Sequence, residues 1–464
     1  MLNYSVLFNN FGSFVEVIAG VLGIAITVVA IIVELAATRY TPKITDMFIR
    51  NRTNTVVLGF YIFTSLFGIW IALIDVGLDS AWYRAGIWTY LGCVSLSFTS
   101  ILPYFFYVFT FLHPENVINR LEQEARARLQ ASVQRDSALS EQKDRFFQSV
   151  EQISDIGINS IANLDRSLGL TCIDSLRQIL LAYFPQKQQF PDFWFQIDRE
   201  NFLGFSRESI RKIEADRTWV EMSVLKQYEF IFAKSVRQIR ELVQEIASAT
   251  RDIALAAARQ RLPESIELLV IYFNTFLRIS LNERNQYAIY NIFDQYRCFA
   301  EEVMAIDAER TLEIAGYFKY YGQFSLTIPM PFSLVIASHD LRMLNERAYQ
   351  TGFAKQKELL QVFLELDKPP ETKLEEIGLR GVRKSQAILA SFYLEHGERD
   401  LARRIFEDMA SEPHERLQSI EQEILSVEKE RFWEVTDRWI NFDYVSPSRR
   451  KYLKEFFSWF RDKK

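Results

Sequence analysis

Three charge-free apolar runs stand in the first 113 residues, and they decide the surroundings in which this chain can fold. Val17–Val33 is 17 residues without a charge, bracketed by Glu16 and Glu34. Thr55–Ile74 is a second run, of 20 residues, and Ala85–Leu112 a third, of 28. About 20 apolar residues in helical form cross the hydrocarbon of a bilayer. Backbone N–H and C=O groups in hydrocarbon must be paired within the segment, so an isolated run has to be a helix. Three transmembrane helices are therefore expected, over about 14–37, 55–76 and 85–112. A secretory signal peptide is the competing reading, but the first fourteen residues carry no charge and supply no basic region ahead of the run.

The rest of the chain is of another kind. Residues 1–113 hold five Lys/Arg and five Asp/Glu, whereas residues 114–464 hold 49 basic and 54 acidic side chains, so the whole net charge of −5 lies there. That length allows about two domains with a sizeable core. The apolar content excludes disorder, and the acidic balance excludes a strongly basic nucleic-acid binder. Cys93, Cys172 and Cys298 are far apart with no CxxC, which fits a reducing compartment.

Loop charges give an orientation. Between the first two runs lie Arg39, Lys43, Arg50 and Arg52 against Asp46; between the second and third lie Asp79 and Arg84, with Asp75 nearby. The positive-inside rule puts the first loop in the cytoplasm, the N-terminus outside, and everything after His113 in the cytoplasm. Thr41–Pro42 has the form of a helix N-cap with proline at the first helical position. Ile44, Met47 and Phe48 then share a face, with Arg39, Lys43, Arg50 and Arg52 placed for anionic head groups. Either a short interfacial helix or a turn packed on the soluble part accounts for this pattern.

From Glu115 on, helical periodicity dominates. Val117, Leu121, Ala125, Leu129 and Val133 continue the third span as a stalk. Helical patterns follow at Phe146–Asn163, Ser167–Phe184, about Val220–Arg261, Glu264–Leu281, Glu283–Ala305, Ala308–Leu326 and Pro331–Gln350. Residues 186–218 are the least regular, with Pro191 and Gly204, and allow a short strand or a compact loop. Lys368–Pro369–Pro370–Glu371 reads as a linker. Beyond it Ile388–Glu395, Asp400–Met409 and Arg416–Trp439 look like paired helices, somewhat like a helical-repeat hairpin without a visible second copy. The last helix, 446–464, is basic and aromatic; it could lie on a membrane, dock in a partner or cover its own domain.

No catalytic constellation is found. His113, His339, His396 and His414 make no two-histidine metal spacing. His339 beside Asp340 invites a base with its orienter, yet helix neighbours point apart, and a structural histidine is the better reading. Cys298, Glu301 and Glu302 lack the further histidine or cysteine that zinc needs. No phosphate-binding loop, dinucleotide fingerprint or nucleophile elbow occurs. No cofactor or metal is expected.

Two intramembrane stripes remain. Ala19, Gly23 and Thr27 fall on one face of the first span, the kind of small-residue face that lets helices approach closely. In the third span Thr89, Cys93, Ser97, Ser100, Tyr104 and Tyr107 form one polar face. Turned inward in a ring of protomers, that face would line a pore, with Phe105, Phe106 and Phe109 as a dewetting gate and Asp75 and Asp79 at the outer mouth. The alternative is that the hydroxyls hydrogen-bond helices within one bundle.

RYTPKITDMFIRNRTNTVVLGFYIFTSLFGI (39–69) resembles a bacterial family of predicted membrane proteins, domain of unknown function 2254. QISDIGINSIA (152–162), TCIDSLRQIL (171–180), YEFIFAKSVRQIR (228–240) and YYGQFSL with PMPF (320–332) extend the resemblance over about residues 15–350. Members often carry a Pro-Gly-Asn-Asp-type turn where this chain has Asn163–Leu164–Asp165–Arg166. The resemblance implies a topology and no active site.

The fold expected is mainly α: a transmembrane domain (1–113), a helical cytoplasmic domain with stalk (114–367) and a C-terminal helical hairpin subdomain (371–464). The expected setting is the bacterial inner membrane, with lipid, other copies of the chain and a possible cytoplasmic protein as partners. The leading functional expectation is a homo-oligomeric, pore-like assembly gated from the cytoplasm. A membrane-tethered scaffold or adaptor is the alternative, and nucleic acid is not expected as a partner.

Overall fold

The computed structural model describes residues 11–39, 43–74, 81–134, 139–197, 202 and 204–461. The chain forms two compact units, one of Met1–Arg128 with Arg145–Ser175, the other of Leu129–Asp144 with Leu176–Lys464. The fold is helical. Among the described residues there is no strand, only an isolated antiparallel bridge between Arg431 and Ile440.

In the first unit α1 (Phe11–Arg39), α2 (Lys43–Ile49), α3 (Arg52–Leu73) and α4 (Ala81–Leu112) occupy the three apolar runs and the loop between the first two. α1, α3 and α4 are long and apolar enough to cross a membrane. α1 buries Leu22, Ala25, Val29 and Val33, while Val17, Ile24, Ile31 and Leu35 stand exposed. An apolar face with no protein against it is what a lipid-facing helix carries. α2 is a helix, as one of the two loop readings has it, but Ile44 and Phe48 are buried within the unit. Phe48 meets Phe111 edge-on at 5.8 Å, and its carbonyl accepts from Asn54 Nδ2 at 2.8 Å. The apolar face of α2 therefore packs on the spans. Thr41 and Pro42 lie outside the described residues.

α5 (Pro114–Gln134), α6 (Leu139–Ala162) and α7 (Arg166–Tyr183) contribute to both units. The second unit continues as α8 (Arg207–Ala215), α9 (Trp219–Ser235), α10 (Arg240–Arg259), α11 (Pro263–Asn282), α12 (Gln286–Val303) and α13 (Ala308–Phe324). α14 (Pro331–Thr351), α15 (Gln356–Leu364), α16 (Lys373–Glu395), α17 (Arg399–Met409), α18 (His414–Ser426) and α19 (Arg450–Arg461) complete it. The irregular stretch 186–218 holds parts of two 3₁₀ turns, Phe184–Gln189 and Asp192–Phe195, and the helix α8, with no strand among its described residues.

These helices are a tandem repeat. α10, α12, α14 and α16 begin at residues 240, 286, 331 and 373, that is 46, 45 and 42 residues apart, and each packs on the next. α9, α11, α13, α15 and α17 begin at 219, 263, 308, 356 and 399 and form the second layer. A period of this size with two helices per repeat is an α-solenoid, in which each hairpin buries its apolar face only by stacking on its neighbours. The hairpin suspected near the C-terminus thus has earlier copies, and the expected single helix over Val220–Arg261 is two helices, α9 and α10, of successive layers. α16 approaches α14 so closely that a Cβ on Gly381 would stand 2.4 Å from Val335 Cγ2.

The turns repeat as well. The N–H groups of Asp165, Thr218, Leu262, Asn285, Phe353 and Glu398 each donate to the carbonyl five residues back. The residue before each has positive φ: Leu164, Arg217, Arg261, Arg284, Gly352 and Gly397. This is a Schellman helix end, which satisfies orphan carbonyls and normally selects glycine at the left-handed position. Four of the six here are not glycine, and Leu164 occupies the turn where the Pro-Gly-Asn-Asp type was the comparison.

α19 closes the end of the solenoid. Leu453, Phe456 and Phe457 are buried, Phe406 packs on Trp459 and Phe460, Arg449 pairs with Glu395 at 2.9 Å, and Arg461 pairs with Glu421. Of the three uses open to this basic helix, it covers its own domain, as terminal repeats must.

Candidate functional site

The expected helix Arg416–Trp439 stops at Ser426, and the chain then runs without helix to Arg449. This strap is drawn off the helical path by what it can bury. Arg438, its side chain 5% exposed, donates to both carboxylate oxygens of Asp340 at 2.6 and 3.0 Å and to the Tyr290 carbonyl at 2.6 Å. Asp340 also accepts from Arg297 Nε at 3.1 Å, and Arg297 binds Asp294 and Glu301 as well. Four residues on, Phe442 stacks on His339 with ring centroids 3.8 Å apart and lies beside Tyr290 and Phe332. Asp443 is bound by Lys384 at 2.8 Å. The strap thus touches α12, α14 and α16, three successive helices of one solenoid layer, through one arginine, one aromatic ring and one carboxylate.

Between the strap and α10, α12 and α14 is a cleft of about 520 Å³, lined among others by Arg240, Tyr287, Tyr290, Phe332, Trp433 and Phe442. Trp433 and Val435 at the strap tip are 79% and 83% exposed. Nothing in the sequence separates this segment from its helical neighbours, because its anchors sit 59 to 148 residues from their partners.

His339 is structural. Its Nδ1 faces Arg342 Nη2 at 2.9 Å, and burial together with Arg342, Arg438 and Arg297 holds the imidazole well below its ordinary pKa. A base whose folded pKa is depressed binds fewer protons folded than unfolded, so its contribution is intact above the unfolded value and lost as pH falls below it. In the detergent-solubilised full chain, unfolding free energy should fall between about pH 6.5 and 5 by about 1.4 kcal/mol per unit more in the native protein than in His339→Gln. Parallel curves, read from thermal melts at several pH values, would remove the imidazole from the pH response.

A second buried cluster escaped sequence inspection altogether. Lys187 Nζ lies 2.5 Å from Glu221 Oε1 and 2.9 Å from Ser265 Oγ, and Ser265 Oγ donates to Glu221 Oε1 at 2.7 Å. Glu221 and Ser265 are fully buried, so this serine has no substrate path; the cluster fastens α9, α11 and the 3₁₀ turn.

In the membrane unit, the polar face of α4 finds its partners on α3. Tyr107 OH donates to Asn51 Oδ1 at 2.9 Å, Tyr104 OH to Asn54 Oδ1 at 3.4 Å, and Ser97 Oγ to Thr64 Oγ1 at 3.3 Å; Tyr61 OH and Ser100 Oγ are 3.1 Å apart. Farther along, Tyr90 lies against Gly68, where a Cβ would stand 2.6 Å from the ring. Positions 51, 54, 61, 64 and 68 thus meet 107, 104, 100, 97 and 90, an antiparallel ladder down two helices. Thr89 is exposed and donates to its own helix at Ala85 O, and Cys93 is half-buried. The three phenylalanines do not converge on this face: Phe106 and Phe109 are 66% and 57% exposed and point away from the unit, and Phe105 is half-buried. Of the small-residue face on α1, Gly23 and Thr27 are exposed, and no atom lies within 4 Å of a Cβ built on Gly23. Arg50 and Arg52 are exposed. Asp75, Asp79 and the side chains of Arg39 and Lys43 lie outside the described residues.

The spans, their joining helix and the stalk carry the family signal. Residues 11–155 match the family of predicted membrane proteins, domain of unknown function 2254 (DUF2254). The resemblance seen at 39–69 lies within that stretch; the segments resembling DUF2254 beyond residue 155 lie outside it. No curated protein matches the chain. Among solved structures, a circular tandem repeat protein with novel repeat topology and enhanced subunit contact surfaces aligns at 13% identity and a TM-score of 0.34. That alignment covers 99% of this chain and 96% of the other. The DUF2254 segment holds the whole α3–α4 ladder, while the strap and its cleft belong to the part beyond it.

Proposed function

We propose that this chain is a membrane-tethered scaffold whose helical repeats receive a partner polypeptide on the strap-bearing layer. The observation that carries this reading is the strap itself. It is an extended stretch of chain held by three successive solenoid helices, and solenoids present such layers as extended protein-binding surfaces. A partner binding beside it has aromatic contact area in Tyr287, Phe432 and Trp433, the residue types that dominate interface energetics. The setting of the reading is the bacterial inner membrane, with the N-terminus outside and the repeats in the cytoplasm, which the cations Arg39, Lys43, Arg50 and Arg52 favour. Copies of the chain associate through the open small-residue face of Ala19, Gly23 and Thr27.

The pore-like assembly has less to draw on. Ser97, Ser100, Tyr104 and Tyr107 hydrogen-bond α3 and its N-cap within one chain, and Thr89 bonds its own helix, which fits the bundle-internal alternative. The scaffold reading is tested by placing a photocrosslinking residue at Trp433 or Tyr287 in membranes from the native host, with exposed Glu407 on α17 as control. Discrete adducts above the mass of the chain are expected from the first two positions and not from the third. Equal yields at all three would sink the reading.

A further inference from the structure

We propose that a pocket at the ends of two spans binds the phosphate of an anionic phospholipid. The pocket, about 420 Å³, lies within the membrane unit, between the end of α2, the start of α3, the end of α4 and the first parts of α5 and α6. Arg50, Arg120 and Arg145 line it, over an apolar floor that includes Phe111 and Met47.

Arg120 is the key residue. Its guanidinium is half-buried, stacks 3.9 Å over the Phe111 ring centroid and makes only a long, 3.5 Å bond to the Phe111 carbonyl. Among the described residues it has no carboxylate partner. Glu124, one turn along α5, is bound by Arg128 at 3.0 Å, and Asp46 is an exposed rim residue. A partly desolvated cation without a counter-charge is unfavourable, and burial accordingly lowers the affinity of Arg120 for its proton. A phosphate oxygen would supply the missing charge in the bidentate geometry that arginine prefers. Asn51 adds a donor: its Oδ1 already accepts from Tyr107 OH and Thr53 N, which leaves the amide N–H₂ for a ligand.

The source of the phosphate follows from position. Asn51 caps one span and Phe111 is one residue from the end of another, so the pocket sits at the depth of head groups. Basic pockets at that level are suited to anionic lipid. The exposed apolar faces of the same spans would take its acyl chains. This assignment is independent of the strap and of any protein partner.

Native mass spectrometry of the full chain in detergent, with phosphatidylglycerol and phosphatidylcholine offered together, tests the site. The native protein should retain phosphatidylglycerol preferentially. Arg120→Gln should lower that preference about fivefold, and Arg403→Gln, which removes an exposed cation of the helical-repeat unit, should leave it unchanged. If Arg120→Gln fails to fold, Arg50→Gln carries the same expectation. Absence of any preference, or a preference that survives in the pocket variants, overturns the proposal. Thermal stabilisation by inorganic phosphate but not by phosphatidylglycerol, lost in Arg120→Gln, would overturn the lipid assignment and leave a phosphate site.

Discussion

Lys187→Met is expected to destabilise the helical-repeat unit by about 3–5 kcal/mol, with Glu221→Leu in the same background recovering most of the loss. Among the described residues Lys187 is the only cation placed on the Glu221 carboxylate, and Glu221 is fully buried. Removing the ammonium leaves an unneutralised carboxylate in a medium that solvates it poorly, and this desolvation, more than the lost attraction, sets the size of the effect. Methionine fills nearly the same volume as the lysine stem, so little of the cost comes from a cavity. Removing both charges removes the desolvation problem too, which is why the double variant should be far better than the single one. Ser265 then loses its acceptor, and a residual cost of about 1 kcal/mol should remain. Chemical denaturation of the three proteins measures this. Additive losses in the double variant would mean that the cluster is held by its packing and not by its charges.

How much of the molecule could be read beforehand follows from where its signals are local. The spans were legible because a charge in hydrocarbon is so costly that its absence over 17–28 residues is itself a pattern. The polar face of α4 was legible for the same reason, since hydroxyls stand out against an apolar helix. Its partners were not: Asn51 and Asn54 precede the charge-free run, and Tyr61 and Thr64 look like ordinary members of it. Only the antiparallel spacing, 51 with 107 down to 68 with 90, exposes the ladder, and that needs the pair together.

The repeat was illegible for a different reason. Its period is carried by helix starts about 45 residues apart, while the residues filling equivalent positions differ. Turn chemistry gave no help. Glycine marks a left-handed helix end, yet Leu164, Arg217, Arg261 and Arg284 take that conformation here. The end of α18 at Ser426 was hidden because the residues after it, up to Trp439, keep a helical apolar pattern; the buried anchors Arg438 and Phe442 win by long-range contacts that no local window contains. The same separation hid Arg120, whose interest lies in the carboxylate it lacks.

Those long-range anchors make Asp340 the residue on which the strap depends most. Asp340→Ala should release the strap, and tryptic cleavage after Arg438 should accelerate about a hundredfold, the equivalent of about 3 kcal/mol. Asp340 is fully buried and takes the shortest carboxylate contact of Arg438, at 2.6 Å, while also pairing with Arg297 at 3.1 Å. Arg297 keeps Asp294 and Glu301 when it goes. Arg438 keeps the Tyr290 carbonyl and a 3.3 Å approach to Asp294, too little to hold a guanidinium away from water. The cheapest response is for Arg438 to leave. The helices beneath pack through α12–α14 and α14–α16 contacts that do not involve the strap, so the loss should appear as local opening more than as global unfolding. Cleavage that requires opening tracks the open population when reclosing is fast, which makes the tryptic rate a direct readout. Arg438→Met should open the strap less, because Asp340 then retains Arg297 and no buried charge is stranded. Equal cleavage rates in the native protein and Asp340→Ala would instead assign the strap's hold to the stack of Phe442 on His339, and leave the Asp340 carboxylate the role of joining α14 to α12 through Arg297.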